Sequence, residues 1–599
     1  MNEQRNLFIA MALALAVIVI WEIFINQPMQ SRQRAEQALS RQQAAQSEQM
    51  AGGAAGPAAA PGVTAPVGMM SREQALAAVP RVRIDAAEVD GSLSLTGARL
   101  DDLNLKGYRV ALAQTSPEVT LLKPQGSPHA SYAVFGWVGD GQALPNDATP
   151  WRQVGGDVLA TGRPVTLAYE TADGLTFERK IAIDEHFMFT ITDKVTNTGA
   201  AERTLYPFSA VRRYGEPPDL ARNMILHEGM TGVINGRLEE RKYARMLKRD
   251  GEFKAETQGG WLGITDKYWL TAIAPPSNVA FTAQYTTRRT AGATIFEANT
   301  LGAARRIAPN ETIEETTRLF AGAKRVQLLN QYRDAYAIPR FEMAVDWGNF
   351  WFLTKPFFWL LDHFFRWVGN FGVAIMMLTV VVRIIFFPIV NQSYVVMTKM
   401  KALQPRMEEL RNRYKNDQLQ MQKATAELFQ KEKVNPLAGC LPILFQIPVF
   451  YALYKVLFVT IEMRHAPFFG WIQDLSAPDP TTVFNLFGLL PYNPTAWPVI
   501  GSFLALGALP LLYGITMWMV QSLSPPATDP IQAAVFKWLP VLFTFMMMGF
   551  AAGLLLYWTW SNVLSILQQS VIMRRMGVPT QFDLFLEKRF GVKAPSAKS

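Results

Sequence analysis

Between Trp367 and Val390 the chain reads WVGNFGVAIMMLTVVVRIIFFPIV, 24 residues that carry a single charge, Arg383. About 20 apolar residues at a helical rise of 1.5 Å cross the ~30 Å hydrocarbon core of a bilayer, so this segment is long enough to span one. The next lysine towards the C-terminus is Lys399, 16 residues on, or about 24 Å along a helix. An arginine so far from the loop charges cannot easily snorkel out, and at a helix centre it costs about 2.5–3.5 kcal/mol on insertion scales. Such a residue persists where it faces protein or a wet cavity. The rest of the chain is the setting for that arginine.

At 599 residues the chain is too long for one domain. Residues 27–340 are polar to average, whereas 350–573 hold nearly all the long apolar runs. A net charge of +9 first suggests nucleic acid, but much of the basic charge lies in loops between apolar segments. That is how the positive-inside rule distributes it, and no specific nucleic-acid sequence is implied as a partner. The lone cysteine, Cys440, excludes an intrachain disulfide. It closes the string Leu437-Ala438-Gly439-Cys440, which looks like a lipoprotein box. The string is internal and starts an apolar run, so the cysteine reads as a small buried residue.

Leu7–Ile25 is an apolar run broken only by Glu22 and preceded by Arg5. It is longer than a signal-peptide core and lacks a small-residue cleavage site, so residues 1–26 read as an uncleaved anchor with a cytoplasmic N-terminus. Residues 27–79 form a flexible linker, with 15 of the 18 residues from Ala51 to Gly68 being Ala, Gly or Pro. Residues 80–335 look all-β. Pro164–Glu170 and Leu175–Ile183 are strand-like and joined through Asp173-Gly174, a preferred hairpin turn. Phe187–Thr196, Ser92–Thr96, Trp269–Ile273 and Val279–Thr287 are further strand-like runs. Short strands with polar turns over this length predict a large β-sandwich.

Residues 349–367 hold a dense aromatic run in which Lys355, Asp362 and Arg366 share one helical face. A charged stripe opposite a Phe/Trp face predicts an amphipathic helix lying in the membrane interface. The stretch 368–573 reads as five spans. After the Arg383 segment, Asn391–Pro436 carries nine Lys/Arg and five Asp/Glu, a net +4. Apolar residues spaced by three and four on either side of Asn416-Asp417 predict a cytoplasmic helical hairpin at 394–433. The later spans are Leu437–Ile461, Pro498–Val520, Trp538–Ala552 and Leu554–Met573, the first irregular near Pro442 and Pro448. The loop 462–497 has one Arg and three acids, the tail 574–599 six Lys/Arg and two acids. The contrast places the loop outside and the tail inside. With the anchor this makes six spans, both termini cytoplasmic and residues 27–349 periplasmic.

Conventional catalytic signatures are missing from the sequence. It has no phosphate-binding glycine loop, no H-E-x-x-H and no G-x-S-x-G. His227-Glu228 begins like a zinc motif, but position 231 is Thr. The five histidines are scattered, so neither an enzyme nor a metal or cofactor site is expected. What remains is polar residues among the apolar spans. Thr379 lies four residues before Arg383, on the same helix face. Gln446 sits at the Pro-rich start of the next span, and Tyr557, Thr559, Ser561 and Asn562 lie in the last. Each alone is bland, since Ser and Thr can bond back to their own helix. Beside an arginine with no Asp or Glu in the five spans to pair with, they suggest a positive hydrated groove that holds a passing segment.

Leu378-Thr379-Val380-Val381-Val382-Arg383, followed by Pro388, resembles the first core helix of the YidC membrane-protein insertase family, which includes mitochondrial and chloroplast members. The strings MKALQP (400–405), EKVNPLAGCLPILFQIPVFYALY (432–454), APFFGWIQDLSAPDP (466–480) and LLLYWTWSNVLSILQQ (554–569) are similar to the family over most of the helical half. The N-terminal Gln4-Arg5-Asn6 and the β region resemble the Gram-negative members. Two departures stand out: Trp558 replaces a second tyrosine, and 481–497 is longer than the family's short outer loop. The resemblance implies a five-helix core enclosing a hydrophilic groove, open to cytoplasm and lipid, in the bacterial inner membrane. It implies that Arg383 supplies the groove's charge and Thr379 lines it, with Tyr557 and Trp558 against the incoming segment. Its implied partners are nascent membrane proteins, the Sec translocon, the ribosome through the basic tail, and the phospholipid bilayer, with chaperone as well as insertase work. A secondary transporter or channel is the runner-up, but it predicts matching broken helices in two halves, and only 437–448 is irregular. A sugar-binding sandwich rests on fold analogy alone.

Overall fold

In the computed structural model Asp173-Gly174 forms the expected turn, with Gly174 at φ 87°, and Val165–Glu170 pairs antiparallel with Leu175–Ile183. The structure describes residues 70–591 except 114, 140–143, 219, 221–225, 249–250, 291–292, 415–416, 435–440, 491, 493, 495–503 and 526–529. The anchor at 1–26, most of the 27–79 linker, Cys440 and the end of the basic tail lie outside the described residues. The chain divides into a β-rich unit that runs to Asp346 and also includes Val459–Ile461, and a helical unit that holds Trp347–Phe458 and the chain from Glu462 on.

Among the described residues, twenty strands form an eleven-stranded and a nine-stranded sheet. The centre of the smaller sheet is Thr312–Ala323, which pairs antiparallel with Met188–Asn197 on one side and Trp269–Ala274 on the other. Leu175–Ile183 shows why the sheets stack. Leu175, Phe177, Arg179, Ile181 and Ile183 alternate to the buried face, while Glu178 and Lys180 point out. Arg179 is the exception within that face, a fully buried charge. Its guanidinium makes two 2.7 Å hydrogen bonds to Asp193. Trp137, on Ser131–Gly139 of the other sheet, donates its indole N–H to the same carboxylate at 3.1 Å. The guanidinium also lies 4.8 Å over the Trp151 ring. Bidentate geometry offsets the cost of burying the pair and ties the two sheets together.

A second polar cluster closes the unit. The Lys324 ammonium donates to Thr265 Oγ1 at 2.9 Å and to the Asp266 carbonyl at 2.8 Å, and burial pushes its pKa down to about 8. His227 donates through Nε2 to the Met230 carbonyl at 2.8 Å, and its backbone N–H donates to Asp346 at 2.9 Å.

In the helical unit, α1 is Trp351–Val368, α2 Phe371–Ala402, α3 Gln404–Arg413, α4 Gln418–Lys431, α5 Leu441–Val459, α6 Ala508–Leu523, α7 Pro530–Met547, α8 Ala552–Arg575 and α9 Gln581–Phe590. Helix α1 ends on Gly369 in the left-handed conformation. The Asn370 side chain then caps α2 by accepting from the Val373 N–H at 3.1 Å. Helix α2 is 32 residues long and is the one described helix long and apolar enough to cross a bilayer. Gln446–Val459, Ala508–Leu523 and Ala533–Met547 are shorter apolar stretches. Helices α6 and α7 approach closely at Gly514, where a Cβ would stand 2.0 Å from Thr544 Oγ1. Such small-residue contacts let apolar helices pack without a hydrophobic drive between them.

Several boundaries differ from the sequence reading. Residues 394–402, expected in the hairpin, continue α2, because nothing from Asn391 to Lys401 breaks a helix. The hairpin is α3 and α4, closed by Arg406–Glu432 at 2.6 Å. The third span was expected from Pro498; residues 498–503 lie outside the described residues, 504–507 are not helical, and α6 runs from Ala508. Its N-terminus is fixed there by Asp479, which accepts from the Leu509 N–H at 2.7 Å, and by Thr481, which accepts from the Ala508 N–H at 3.0 Å. The fourth span starts earlier and ends at Met547. Helix α8 then opens at Ala552, whose N–H bonds to the Ala477 carbonyl at 2.8 Å. In α1 the aromatics do not form one face: Phe357 and Phe358 are buried while Trp351, Trp359 and Trp367 are exposed. Its Arg366 pairs with Asp362 at 3.0 Å.

Burial holds the His227 pKa down at about 4, below the unperturbed ~6.5 of the unfolded chain. The unfolded state therefore takes the proton first, and the β unit loses stability as pH falls from about 6.5 towards about 4. His227→Gln is expected to flatten that slope, measured by hydrogen exchange of the β unit in the full chain. An unchanged slope would refute the assignment.

Candidate functional site

Helix α8 carries Tyr557, Ser561, Ser565 and Gln569 at four-residue spacing, hence on one face over about 18 Å. All four are buried, none more than 4% exposed. The face is turned towards α2 and α6, against which α8 packs. On the outside the order is reversed: Ile384 and Ile385 of α2 are 66% and 65% exposed, Trp518 of α6 60%. Polar side chains inside and large apolar ones outside is the arrangement a lipid solvent selects.

Arg383 reaches this seam from α2. Its Nη2 donates to the Ser561 carbonyl at 2.8 Å, to Ser561 Oγ at 2.7 Å and to Ser565 Oγ at 2.5 Å. The sequence offered this arginine no acidic partner within the five spans and left open what it meets. Its partners are neutral oxygens one turn apart on α8, and among the described residues no carboxylate pairs with it. Ser565 in turn donates to the Ser561 carbonyl at 2.9 Å, so the two serines and the guanidinium form one network.

At one end of the seam Gln446 of α5 donates to the Tyr557 hydroxyl at 2.6 Å, joining two of the residues singled out from sequence. At the other end Gln569 donates to the Leu523 carbonyl at 3.0 Å, and Lys401 of α2 donates to the Ser522 carbonyl at 2.9 Å. Both carbonyls belong to the last turn of α6, where the helix dipole favours a cation. Asn562 links α8 to Thr516 of α6 at 3.2 Å. The seam is not fully satisfied: Gln569 Oε1 is buried without a hydrogen-bond partner, at a cost of about 1–3 kcal/mol.

Two of the five sequence candidates make no polar contact in this seam. Thr379 is 1% exposed and donates to the Ile375 carbonyl of its own helix at 2.7 Å, the self-bonded state open to any helical threonine. Trp558 stacks on Phe450 with centroids 4.5 Å apart and lies 5.6 Å from the Tyr513 ring, an aromatic lock between α5, α6 and α8. The sequence reading missed Ser565, Gln569 and Lys401. The first two had a legible signal, since they continue the four-residue spacing of Tyr557 and Ser561. Lys401 had none, because its acceptors are the backbone of another helix. Lys455, a buried lysine inside the apolar α5, was also overlooked.

Residues 81–360 match the family model of the YidC periplasmic domain, and 363–579 match that of the 60Kd inner membrane protein. The chain is 47% identical over 620 residues to a membrane protein insertase YidC of Methylorubrum extorquens (strain PA1), with 100% of each chain covered. It is 47% identical to the protein of that name in Beijerinckia indica, over 99% of each. To the one in Caulobacter vibrioides (strain NA1000 / CB15N) it is 46% identical, again over 99% of each.

Replacing Ser561 and Ser565 together by Ala strips the Arg383 Nη2 of both hydroxyl acceptors. Hydrogen bonds to a charged group contribute about 1.5–3 kcal/mol each, so melting in detergent should move clearly lower. In an Arg383→Ala background the same serine changes should cost much less, since the interaction they serve is gone. Equal costs in the two backgrounds would show that the serines do not act through Arg383.

Proposed function

The chain belongs to the YidC family of membrane protein insertases, inner-membrane proteins with a periplasmic domain, and from that premise we propose that the Arg383 seam is where a client segment is received. The observation that carries the reading is the partner set of Arg383. A guanidinium held by two serines and a carbonyl keeps its full positive charge, whereas an ion pair would have cancelled it. Neutral oxygens can be exchanged for those of a visiting polar chain at little electrostatic cost.

In this reading the polar part of a client leaves water for the seam, where Arg383, Gln446 and Tyr557 replace part of its hydration. Thr379 and Trp558 shape the neighbouring wall through packing. The client's apolar segment then moves from water into lipid, gaining about 25 cal/mol per Å² of apolar surface. That step needs no nucleotide. The exposed apolar sides of α2 and α6 are the surfaces along which the segment reaches the bilayer. The α3–α4 hairpin, with no buried residue in α3, is a receiving arm for clients on the cytoplasmic side. The remaining topology belongs to the same proposal: an anchor at 1–26, six spans, both termini cytoplasmic, and residues 27–349 in the periplasm. So do the partners, the Sec translocon for larger clients and the ribosome at the basic tail, and a chaperone role beside insertion.

The test is insertion of a client with an acidic tail into vesicles reconstituted with the purified protein. Arg383→Ala is expected to lower insertion about tenfold, the factor that ~1.4 kcal/mol represents. Arg383→Lys should fall less, because it keeps the charge while losing the planar fork. A client with a neutral tail should be less affected by either change. Unchanged insertion of the acidic client by the alanine variant would remove the charge from the mechanism.

A further inference from the structure

The segment between α5 and α6 contains an apolar loop that the seam does not use. From Pro480 to Thr528 the sequence has no charged residue. Within the described part, Phe484, Leu486, Phe487, Leu489, Leu490 and Tyr492 are all large and at least 40% exposed, Leu489 reaching 83%. A stretch this apolar and uncharged is unfavourable against water, and apolar patches of this kind mark an interaction surface.

The backbone holds the loop in this form. Leu486 and Phe487 are both left-handed, at φ 52° and 59°, a conformation unfavourable for bulky L-residues. The strain persists because both ends are tied. The Phe487 N–H donates to the Thr482 carbonyl at 2.8 Å and the Leu490 N–H to the Asn485 carbonyl at 3.0 Å. At the base the Val483 N–H donates to the Leu506 carbonyl at 2.9 Å, and the Thr482 hydroxyl donates to that of Leu504. Asp479 and Thr481, which cap α6, stand immediately before. The loop is thus stapled to the start of α6, the helix whose Leu512, Ile515 and Trp518 side chains are exposed on the surface read above as facing lipid.

We propose that residues 483–490 form a wedge seated in the outer leaflet of the bilayer, at the boundary of headgroups and acyl chains. Two arguments select lipid over a protein partner: the wedge is continuous through its staple with the lipid-facing helix α6, and it presents no charge that would steer a protein. Tyr492, apolar in its ring and polar at its tip, suits the headgroup level. The strained pair turns Leu486, Phe487 and Leu489 outward together, so one short loop fills space beneath the headgroups beside α6. The proposal rests on the reading of this chain as an insertase core embedded in the membrane.

The full chain carrying Cys440→Ser, with a single environment-sensitive fluorophore on Leu489→Cys, is placed in nanodiscs of phosphatidylethanolamine and phosphatidylglycerol. A second sample carries the label on Ile385→Cys of α2. Lipids brominated on the acyl chain report contact. Both labels are expected to emit at short wavelength and to lose intensity to brominated lipid, position 489 more with bromine near the headgroup than near the chain end. If 385 is quenched while 489 emits as in water, the wedge fails and the membrane reading stands. If neither is quenched, the membrane reading itself fails. A water-like emission at 489 that turns blue only when a Sec translocon is co-reconstituted would assign the loop to a protein partner and overturn the lipid assignment. Phe487→Cys repeats the measurement, so that loss of one side chain does not decide the result.

Discussion

A single guanidinium hydrogen-bonded to two serines organises the helical unit. Arg383 is an expensive group among apolar helices, and any solution to its desolvation constrains its neighbours. Here the solution is neutral: Ser561 and Ser565 one turn apart on α8, with the Ser561 carbonyl between them. This fixes the facing of α8, because the serines must point at α2. It then fixes the company they keep, since Tyr557 and Gln569 lie on the same stripe and take Gln446 and the α6 carbonyls as partners. A carboxylate in place of the serines would hold Arg383 more firmly and would leave less field for a visitor. The arrangement trades stability for an uncancelled charge, a trade that suits a site whose ligand is transient.

The β-rich unit solves the opposite problem. Two of its buried arginines are paired with carboxylates, Arg179 with Asp193 in bidentate fashion and Arg213 with Asp266 through two bonds of 2.7 Å. Such pairs stabilise little in net terms, but breaking one is costly, so they specify a geometry. The Arg179–Asp193–Trp137 junction sets how the two sheets meet. The Lys324–His227 cluster holds the strand ends near Asp346, where the chain leaves the unit. Charge paired with charge in one unit and a charge held by neutral oxygens in the other match a rigid domain and a receptive site.

Much of this was legible before any coordinates. Period-2 alternation found Leu175–Ile183 and its hairpin partner, because a strand buried on one face must alternate. The apolar runs found α2, α5 and α8, and Gln446 and Tyr557, which bond to each other, were recognisable as unusual for their surroundings. Helix ends were legible only where a local signal marks them. The hairpin start was placed ten residues early, at 394, because polar composition at Asn391 looked like a loop although it does not break a helix. The start of α6 was misjudged because its cap, Asp479, comes from a loop 29 residues earlier in the chain.

The sequence by itself determined the two-part architecture, the presence of a charge that lipid would reject, and polar residues in the last apolar segment, all of which follow from hydropathy along the chain. Only the tertiary structure decided what each polar group does. Thr379 and Ser561 are equally plausible hydroxyls in sequence, yet one bonds to its own helix and the other holds Arg383. The difference is which face of α2 meets which face of α8, and that is set by packing between helices more than 170 residues apart in the chain. Arg383 therefore announced a site in the sequence, and the fold assigned its partners.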